Sequence, residues 1–223
     1  TPIAVGDSFT LNEDNIMLLN LHVNDTDVDG DLNGTAITIV TQPTHGEANV
    51  TESGLVRYIP TKDYFGSDSF TYKISDGEVN SSTTTVSLTI NAVNDAPSFS
   101  TSTNLSVAEN TTTVVTLSAN DVEGDAPITY SIENEWDYSK FSINGSVLSF
   151  NNAPDYENPQ DSGANNVYEV VIVAKDSTGR GFGRNFLVTV TDVLEATFTN
   201  DGGGSAVTVT PNENQTAVTT VTQ

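Results

Sequence analysis

The sequence contains no cysteine, two histidines, and seven lysines and arginines among 223 residues. Without cysteine there is neither a disulfide bridge nor a thiolate metal site. Thirty aspartates and glutamates give a formal net charge of -23, which argues against nucleic acids and anionic membrane surfaces as partners. The chain also lacks an apolar run long enough to span a bilayer. We therefore expect no nucleic-acid binding and no membrane insertion.

The acidic residues are concentrated in short clusters. Asp25, Asp27, Asp29 and Asp31 alternate within seven residues. Near a protein surface, two like unit charges about 4 Å apart cost on the order of 4 kcal/mol, so such clusters are maintained mainly where a cation lies between them. Ligands that are all oxygen favour a hard ion, and Ca²⁺ fits best. A solvated acidic turn is the alternative, and the recurrence of the cluster disfavours it.

Three features of the sequence recur at intervals of about one hundred residues. The first is a glutamate followed by Asp or Asn and then by spaced apolar residues, and it occurs at Glu13, Glu109 and Glu213. The second is Asp25-Thr-Asp27, which returns as Asp121-Val-Glu123, and the third is Asp76, which returns as Asp176. These repeats predict two complete units, 1–95 and 96–194, and the first strands of a truncated third repeat, 195–223.

Apolar residues alternate with polar ones in several segments, which predicts half-buried β-strands. The alternating apolar positions are Phe70, Tyr72, Ile74, Val86, Leu88, Ile90, Tyr168, Val170, Ile172, Ala174, Phe186, Val188 and Val190. His22 is likewise predicted to lie on a strand between Leu21 and Val23. No stretch has a helical period. About seven short strands per hundred residues predict an all-β protein of tandem Greek-key immunoglobulin-like sandwiches.

Glycine and arginine alternate near residue 180. We interpret Arg180, Arg184 and the glycines Gly179, Gly181 and Gly183 as a hairpin turn.

The first repeat carries a series of specific motifs. They are Asp7-Ser-Phe9, Glu13-Asp14, Asn24-Asp25-Thr-Asp27-Val-Asp29-Gly30-Asp31, Gln42-Pro43-Thr-His45-Gly46, Tyr58-Ile-Pro60, Phe65-Gly66-Ser-Asp68-Ser-Phe70-Thr-Tyr72, Ser75-Asp76-Gly77 and Val93-Asn94-Asp95-Ala96-Pro97. With them, residues 1–97 resemble the cadherin-like tandem repeat of bacterial RTX-type surface adhesins. Residues 98–195 resemble a cadherin-like domain more loosely, through Ala108-Glu109-Asn110, Asp121-Val-Glu123, Asp155-Tyr-Glu157, Ala174-Lys-Asp176 and Val190-Thr-Asp192.

This resemblance implies cadherin-like sandwiches arranged end to end, with Ca²⁺ held at each junction by loops of both neighbours and by the linker. At the first junction the implied ligands are Glu13, Asp63, Asp68, Asn94, Asp95, Asp121, Glu123 and Asp176. At the second they are Glu109, Asp155, Glu157, Asp192 and Glu195. A further group, Asp25, Asp27, Asp29, Asp31 and Asp76, would lie at the opposite end of the first repeat.

The sequence departs from the family pattern at both junctions. The family has a second acidic residue shortly after the position of Asp63, and this sequence has Phe65 there. We predict that Asp68 takes the place of the missing acidic residue. In the second linker Leu194 replaces an asparagine and Thr197 replaces a proline. We therefore expect the second site to be incomplete or weak.

The sequence has features of three other kinds of site. An EF-hand loop beginning at Asp25 would need a glutamate at its twelfth position, which is Ala36. Catalysis is disfavoured because His22 and His45 lack a nucleophile partner and the carboxylates lie in polar turns, so we predict no enzyme and no catalytic residue. Trp136 and Tyr138, in a polar loop, could contact a sugar or a peptide.

Together these observations predict calcium-rigidified extracellular modules that act as spacers or present ligands in cell adhesion. The predicted partners are Ca²⁺, neighbouring repeats of the same chain, and a glycan or peptide on a target cell. The predicted location is the bacterial cell surface or the secreted fraction. The alternative is a carbohydrate- or peptide-binding module of a secreted bacterial protein or of a polysaccharide-degrading enzyme.

Overall fold

The computed structural model describes residues 1–28 and 36–193, together with the backbone of three short strands further on. The chain divides into two compact units, Thr1–Asp95 and Ala96–Gln223. Two short 3-10 helices, Leu21–Val23 and Tyr138–Lys140, are the helical elements of the described residues. None of these described helices has the length and hydrophobicity that crossing a membrane requires. The predicted all-β class is confirmed.

The first unit is a sandwich of a four-stranded and a three-stranded sheet. Its strands are β1 (Asp7–Asn12), β2 (Met17–Leu19), β3 (Ile37–Thr41), β4 (Gly46–Val50), β5 (Val56–Pro60), β6 (Gly66–Ile74) and β7 (Thr84–Asn91). The strand orders are β1-β7-β6-β3 and β2-β5-β4, and β1 runs parallel to β7. Because β1 and β7 run in the same direction, the chain segments that follow them emerge at the same end of the sheet.

Strand alternation builds the core of this unit, as predicted. In β6, Phe70, Tyr72 and Ile74 are each 1% exposed or less, while Thr71 and Lys73 between them are partly exposed. In β7, Val86, Leu88 and Ile90 face the same core.

The predicted strand at His22 is wrong. Leu21–Val23 forms a 3-10 helix, and the side-chain oxygen of Asn20 accepts a hydrogen bond of 3.2 Å from the His22 N–H. Such local bonds from asparagine to the backbone compete with strand pairing. Leu21 is buried, but Val23 is 78% exposed. A single helical turn therefore buries Leu21 without pairing this segment with a sheet.

The second unit repeats this architecture. Its sandwich strands are β8 (Ser98–Phe99), β9 (Asn104–Ala108), β10 (Thr113–Thr116), β11 (Ala119–Asn120), β12 (Thr129–Ile132), β13 (Phe141–Asn144), β14 (Val147–Phe150), β15 (Val167–Lys175) and β16 (Gly181–Thr191). The orders are β12-β15-β16-β9 and β10-β14-β13, with a small β8-β11 pair. The alternating residues of β15 and β16 lie in the core, as predicted.

The predicted glycine- and arginine-rich turn is only partly correct. The β15–β16 ladder continues to the pair Lys175 and Gly181, so Gly181, Gly183 and Arg184 lie in strand β16. The turn itself is residues 176–180, closed by a hydrogen bond of 3.0 Å from the Asp176 N–H to the Arg180 carbonyl.

The remaining strands, β17 (Ala196–Thr199), β18 (Ala206–Pro211) and β19 (Thr219–Thr222), form an antiparallel three-stranded sheet. The division of the chain into repeats 96–194 and 195–223 stays a prediction.

Candidate metal centres

Three carboxylates of the first unit meet at the end where β1 and β7 finish. Asp14 follows β1, Asp63 lies between β5 and β6, and Asp95 follows β7. Ligand oxygens of the three residues all lie within 4.8 Å of one another. Asp14 and Asp63 both have φ of 57°, the left-handed conformation that aspartate tolerates better than most residues and that turns the chain sharply. Sequence reasoning placed Asp63 and Asp95 at this end but did not propose Asp14.

A buried glutamate supports the cluster. Glu13 is fully buried, its N–H donates to the Asn91 carbonyl (3.0 Å), and its Oε1 accepts from the Val93 N–H (2.8 Å). Burial of a carboxylate is costly unless hydrogen bonds satisfy it. These bonds fasten the chain that leaves β7 to the end of β1, and they place Asp95 two residues beyond the attachment.

Lys62 lies next to this cluster and interacts with it. Its Nζ is 2.6 Å from Oδ1 and 2.7 Å from Oδ2 of Asp63. Its hydrogen bonds to Asp63, with the charges of Asp14 and Asp95, outweigh desolvation and raise the pKa of Lys62. The three carboxylates therefore attract a cation to this position.

The second unit has its own cluster, formed by Glu109, Asp155 and Glu157, with ligand oxygens again within 4.8 Å of one another. Glu109 is 3% exposed and corresponds to Glu13. Its N–H donates to the Thr191 carbonyl (3.0 Å), and its Oε1 accepts from the Val193 N–H (2.7 Å).

The loop after β14 adds a further bond to this glutamate. The Tyr156 N–H donates to Glu109 Oε2 at 2.9 Å, which holds Asp155 and Glu157 on either side of the buried carboxylate.

The electrostatics of the second cluster show how closely its charges interact. A hydrogen bond within Glu157 lowers the pKa of that carboxyl group. Desolvation and the negative charges of Glu109, Asp192 and Asp155 together raise it more, so the pKa of Glu157 lies above its ordinary value. Asp192, which was predicted as a ligand, thus contributes to the field at this end of the unit.

At the opposite end of the second unit, Asp121, Glu123 and Asp176 lie in two loops that contact each other. The Asp125 N–H donates to Asp121 Oδ1 (3.0 Å), and the Ser177 N–H donates to the Asp125 carbonyl (3.4 Å). Asp176 is buried and shapes its turn, because its Oδ1 accepts hydrogen bonds from Thr178 and from the Arg180 N–H.

In the first unit, the corresponding end brings Asp27 and Asp76 close to the backbone nitrogen of Thr1. That nitrogen is 3.2 Å from Asp27 Oδ2 and 4.0 Å from Asp76 Oδ2. Asp25 differs from both. Its buried carboxylate accepts from the Tyr72 hydroxyl (3.1 Å) and the Val5 N–H (2.9 Å), so it forms part of the packing beneath the loops.

Asp68 also has a structural role. It is 7% exposed and accepts hydrogen bonds from the Tyr58 hydroxyl (2.8 Å) and from three backbone N–H groups. Desolvation raises its pKa, but these bonds lower it more, so the pKa of Asp68 lies below its ordinary value. The side chain joins the turn after β3 to β6, and its predicted role as a metal ligand stays a prediction.

Not every predicted ligand can be assigned a position. Asp29, Asp31 and Glu195 lie outside the described residues. The side chain of Asn94 donates to the carbonyl of Asp95 at 3.2 Å.

Sequence reasoning missed two buried aspartates that organise the second unit. Asp137 accepts from the N–H groups of Ser162 and Glu169, and Asp161 accepts from three N–H groups of the loop that follows it. The Asp-Ser-Gly sequence that begins at Asp161 is the one available signal, because aspartates commonly bond the backbone two residues on.

The two candidate ligand-contacting aromatic residues flank Asp137. Trp136 is 62% exposed and Tyr138 is 41% exposed. Tyr138 begins the 3-10 helix Tyr138–Lys140, and the next two residues of that helix line a cavity of about 400 Å³. The other lining residues are Phe150, Asn152, Ala153, Pro154, Asp155, Asn158, Gln160 and Tyr168.

Comparisons with known proteins agree with this fold. Residues 1–89 match a family model described as a bacterial Ig domain. The human desmocollin-1 ectodomain is similar in structure, with a TM-score of 0.56 and 14% sequence identity; the alignment covers 95% of this chain and 46% of that chain. This chain therefore spans about half the length of the desmocollin ectodomain. Among curated proteins, no sequence matches significantly.

Two further structures align with lower scores. Human CDH23 EC21-23 gives a TM-score of 0.47 at 17% identity, covering 94% of this chain and 79% of that chain. Drosophila N-cadherin EC1-4 gives 0.41 at 19% identity, covering 94% and 58%. The family match over residues 1–89 and the similarity to the desmocollin-1 ectodomain show an immunoglobulin-like, cadherin-like fold, as expected. The RTX adhesin context stays a prediction.

Proposed function

We propose that this chain is a calcium-binding, adhesion-type extracellular module. The observation that carries the proposal is the convergence of three carboxylates at the same end of each unit. The first cluster lies beside the buried Glu13, and the second includes its counterpart Glu109; each glutamate is bonded to the chain leaving its sandwich. The presence of such a cluster in both repeats indicates a shared ligand.

Ca²⁺ is the ion that these clusters suit. It takes six to eight oxygen ligands at roughly 2.3–2.6 Å, and it accepts carboxylates, backbone carbonyls and water. An ion between the carboxylates removes the repulsion that otherwise opposes their approach. Affinities of extracellular calcium modules are typically about 10⁻⁴ to 10⁻³ M, so calcium in the surroundings of a cell would fill such sites.

Binding would also stiffen the chain. Asp95 belongs to the segment that leaves the first unit, whereas Asp14 and Asp63 belong to its loops. An ion shared by the three residues fixes the start of the linker to the sandwich. We propose that this stiffening makes the modules spacers or ligand-presenting domains in cell adhesion at a bacterial surface. The participation of Asp121, Glu123 and Asp176 in ions shared with the preceding repeat remains the prediction made from the sequence.

Calcium titration of the whole chain tests this proposal. Calorimetry should detect sites that are lost on Asp63→Asn in the first unit and on Asp155→Asn in the second, and Ca²⁺ should raise the melting temperature because it binds the folded state. Glu52→Gln, which removes one exposed charge from the β4–β5 turn, is the matched control. The proposal fails if calcium binds the two cluster variants as it binds the parent, or if a chelator leaves the melting temperature unchanged.

A second candidate function rests on the surface around the cavity of the second unit. Trp136 is exposed and has φ of 54°. It precedes by three residues Ser139, which lines the cavity. An exposed aromatic ring close in sequence to a cavity that amide and hydroxyl side chains line in part suits a sugar or an extended peptide. Under this proposal the chain is a carbohydrate- or peptide-binding module of a secreted bacterial protein.

Glycan and peptide arrays distinguish the two functions. The binding module predicts a specific signal that Trp136→Ala abolishes, while the melting shift caused by calcium is retained. The spacer predicts silent arrays, together with a calcium-dependent increase in the radius of gyration measured by small-angle scattering.

A further inference from the structure

Strand β16 is longer than the strand that covers its outer side. It runs from Gly181 to Thr191, whereas β9 pairs only with Leu187–Thr191. Over Gly181–Phe186, β16 pairs with β15 on one side. On the other side, no strand among the described residues pairs with this half of β16.

In the first unit, the equivalent edge, that of β7, is covered by β1. There β7 runs from Thr84 to Asn91, and β1 pairs with all of it except the first two residues. Even those two are approached closely, since a Cβ on Gly6 would lie 3.0 Å from the Thr85 carbonyl oxygen. The open half-strand is therefore particular to the second unit.

The direction of the backbone groups at this edge follows from the neighbouring pairs. The Leu187 N–H donates to the Thr103 carbonyl at 2.8 Å, so this residue faces the side on which β9 lies. Because successive residues of a strand face opposite sides, the N–H and C=O groups of Gly181, Gly183 and Asn185 point to the same side. Residues 181–185 are all exposed. Such a row of backbone groups is a template for an added strand.

Side chains leave the approach to this edge open. Gly181 and Gly183 have none, and the space beside them is filled from β15. A Cβ on Gly181 would lie 2.6 Å from Lys175 Cγ, and one on Gly183 would lie 3.4 Å from Val173 Cγ2. The edge segment contains neither the proline nor the bulge with which many proteins protect an edge.

The tip of this hairpin, residues 175–185, has a net positive charge in a chain of net charge -23. Lys175, Arg180 and Arg184 outnumber its one acidic residue, Asp176. The Arg184 guanidinium lies 5.8 Å from the centre of the Phe182 ring. A second copy of this chain on the edge would oppose like charges, which destabilises a strand pair. An acidic segment would be attracted.

We propose that the open edge of β16, from Gly181 to Asn185, binds an extended acidic peptide segment as an additional β-strand. Backbone hydrogen bonds supply the affinity of such strand addition, and side-chain contacts supply its selectivity. Here Lys175, Arg180 and Arg184 select against basic and neutral segments.

The probe is a short labelled peptide of alternating valine and glutamate, titrated against the whole chain. We expect saturable binding by fluorescence anisotropy, weakened by salt, and amide shifts in NMR spectra at Gly181, Gly183 and Asn185. The same peptide with lysine for glutamate should not bind, nor should the acidic peptide after N-methylation of every backbone amide. Binding of the fully N-methylated peptide would overturn the proposal, because neither edge of that peptide can donate the backbone hydrogen bonds of a strand pair.

Variants of the edge complete the test. Gly183→Pro removes an outward N–H at a position where a sheet tolerates proline, and we expect binding to weaken about tenfold. Arg184→Gln should weaken binding severalfold and flatten its salt dependence, whereas Lys73→Gln, which removes one cation from the first unit, should not. A folded Gly183→Pro chain that binds as tightly as the parent would overturn the proposal. So would a parent that does not bind the acidic peptide, or one that dimerises through this edge in sedimentation experiments.

Discussion

The two units build the same acidic end with different residues. Glu13 and Glu109 occupy one position and make the same pair of backbone hydrogen bonds. The next residue is Asp14 in the first unit and Asn110 in the second, and both are left-handed, with φ of 57° and 60°. The backbone at this position is thus retained while the charge is not.

In the loop that joins the two sheets, the second unit has a charge that the first unit lacks. Asp63-Tyr64-Phe65 in the first unit corresponds to Asp155-Tyr156-Glu157 in the second. The first unit therefore gains a carboxylate at Asp14 and lacks one at Phe65, and the second unit does the reverse. Each cluster still contains three carboxylates, although the third is Asp95 in the first unit and the buried Glu109 in the second. This compensation indicates that the number of negative charges at this end matters more than the position of any one of them.

The largest expected effect concerns the buried glutamate. Glu109→Ala leaves the N–H groups of Tyr156 and Val193 without their acceptor, and a buried unsatisfied donor costs about 1–3 kcal/mol. We expect the free energy of unfolding of the second unit to fall by about 3 kcal/mol in urea with a chelator present. Glu133→Gln, at an exposed position of the same unit, is the control. A change within about 0.5 kcal/mol would show that this glutamate does not organise the loop.

Moving one carboxylate from position 14 to position 65 tests whether the two positions compensate for each other. Asp14→Asn alone should weaken calcium binding by the first unit about tenfold, since one of three charged ligands is lost. Adding Phe65→Glu, at a position that is 41% exposed, should restore most of that affinity. Calorimetry of the single and double variants measures both effects. If the double variant binds no better than Asp14→Asn, the number of charges alone does not determine the site.

These comparisons show what the sequence could predict. The alternation in β6, β7, β15 and β16 identified the core, because period two reports directly which face of a strand is buried. The recurrence of Glu13 as Glu109 identified the two equivalent ends. The repeat also contained the information on Asp14, but the family pattern directed attention to its neighbour.

Other features could not be predicted from one residue at a time. Asp25 and Asp68 are among the predicted ligands, and Asp137 and Asp161 resemble them in the sequence, yet hydrogen bonds hold all four in buried positions. Which aspartate becomes structural depends on where backbone N–H groups converge after folding. The open edge of β16 likewise could not be predicted from the sequence, because it depends on the residue at which β9 begins to pair with β16.

A smaller difference between the units is the cation beside the first cluster. Lys62 precedes Asp63 and bonds both of its oxygens, whereas Pro154 precedes Asp155. Calcium must displace this ammonium group in the first unit only. Because an exposed ion pair contributes little, Lys62→Gln should tighten calcium binding by the first unit only about threefold and leave the second unit unchanged. Equal changes in both units, measured by calorimetry, would contradict a local competition.

The smallest expected effect is a pH dependence of calcium affinity that distinguishes the two clusters. The pKa of Glu157 is raised in the calcium-free fold, chiefly because desolvation and the charges of Glu109, Asp192 and Asp155 outweigh the hydrogen bond within Glu157 that lowers it. A raised pKa means that protonation favours the calcium-free folded state, and this stabilisation is lost as the pH rises through that pKa. Calcium competes with the proton, so affinity should fall as the pH is lowered through the same range. Calorimetry in buffers of different ionisation enthalpy should then detect protons released on binding, and Glu157→Gln should reduce that release. Proton release that is unchanged in Glu157→Gln would locate the coupling elsewhere in the cluster.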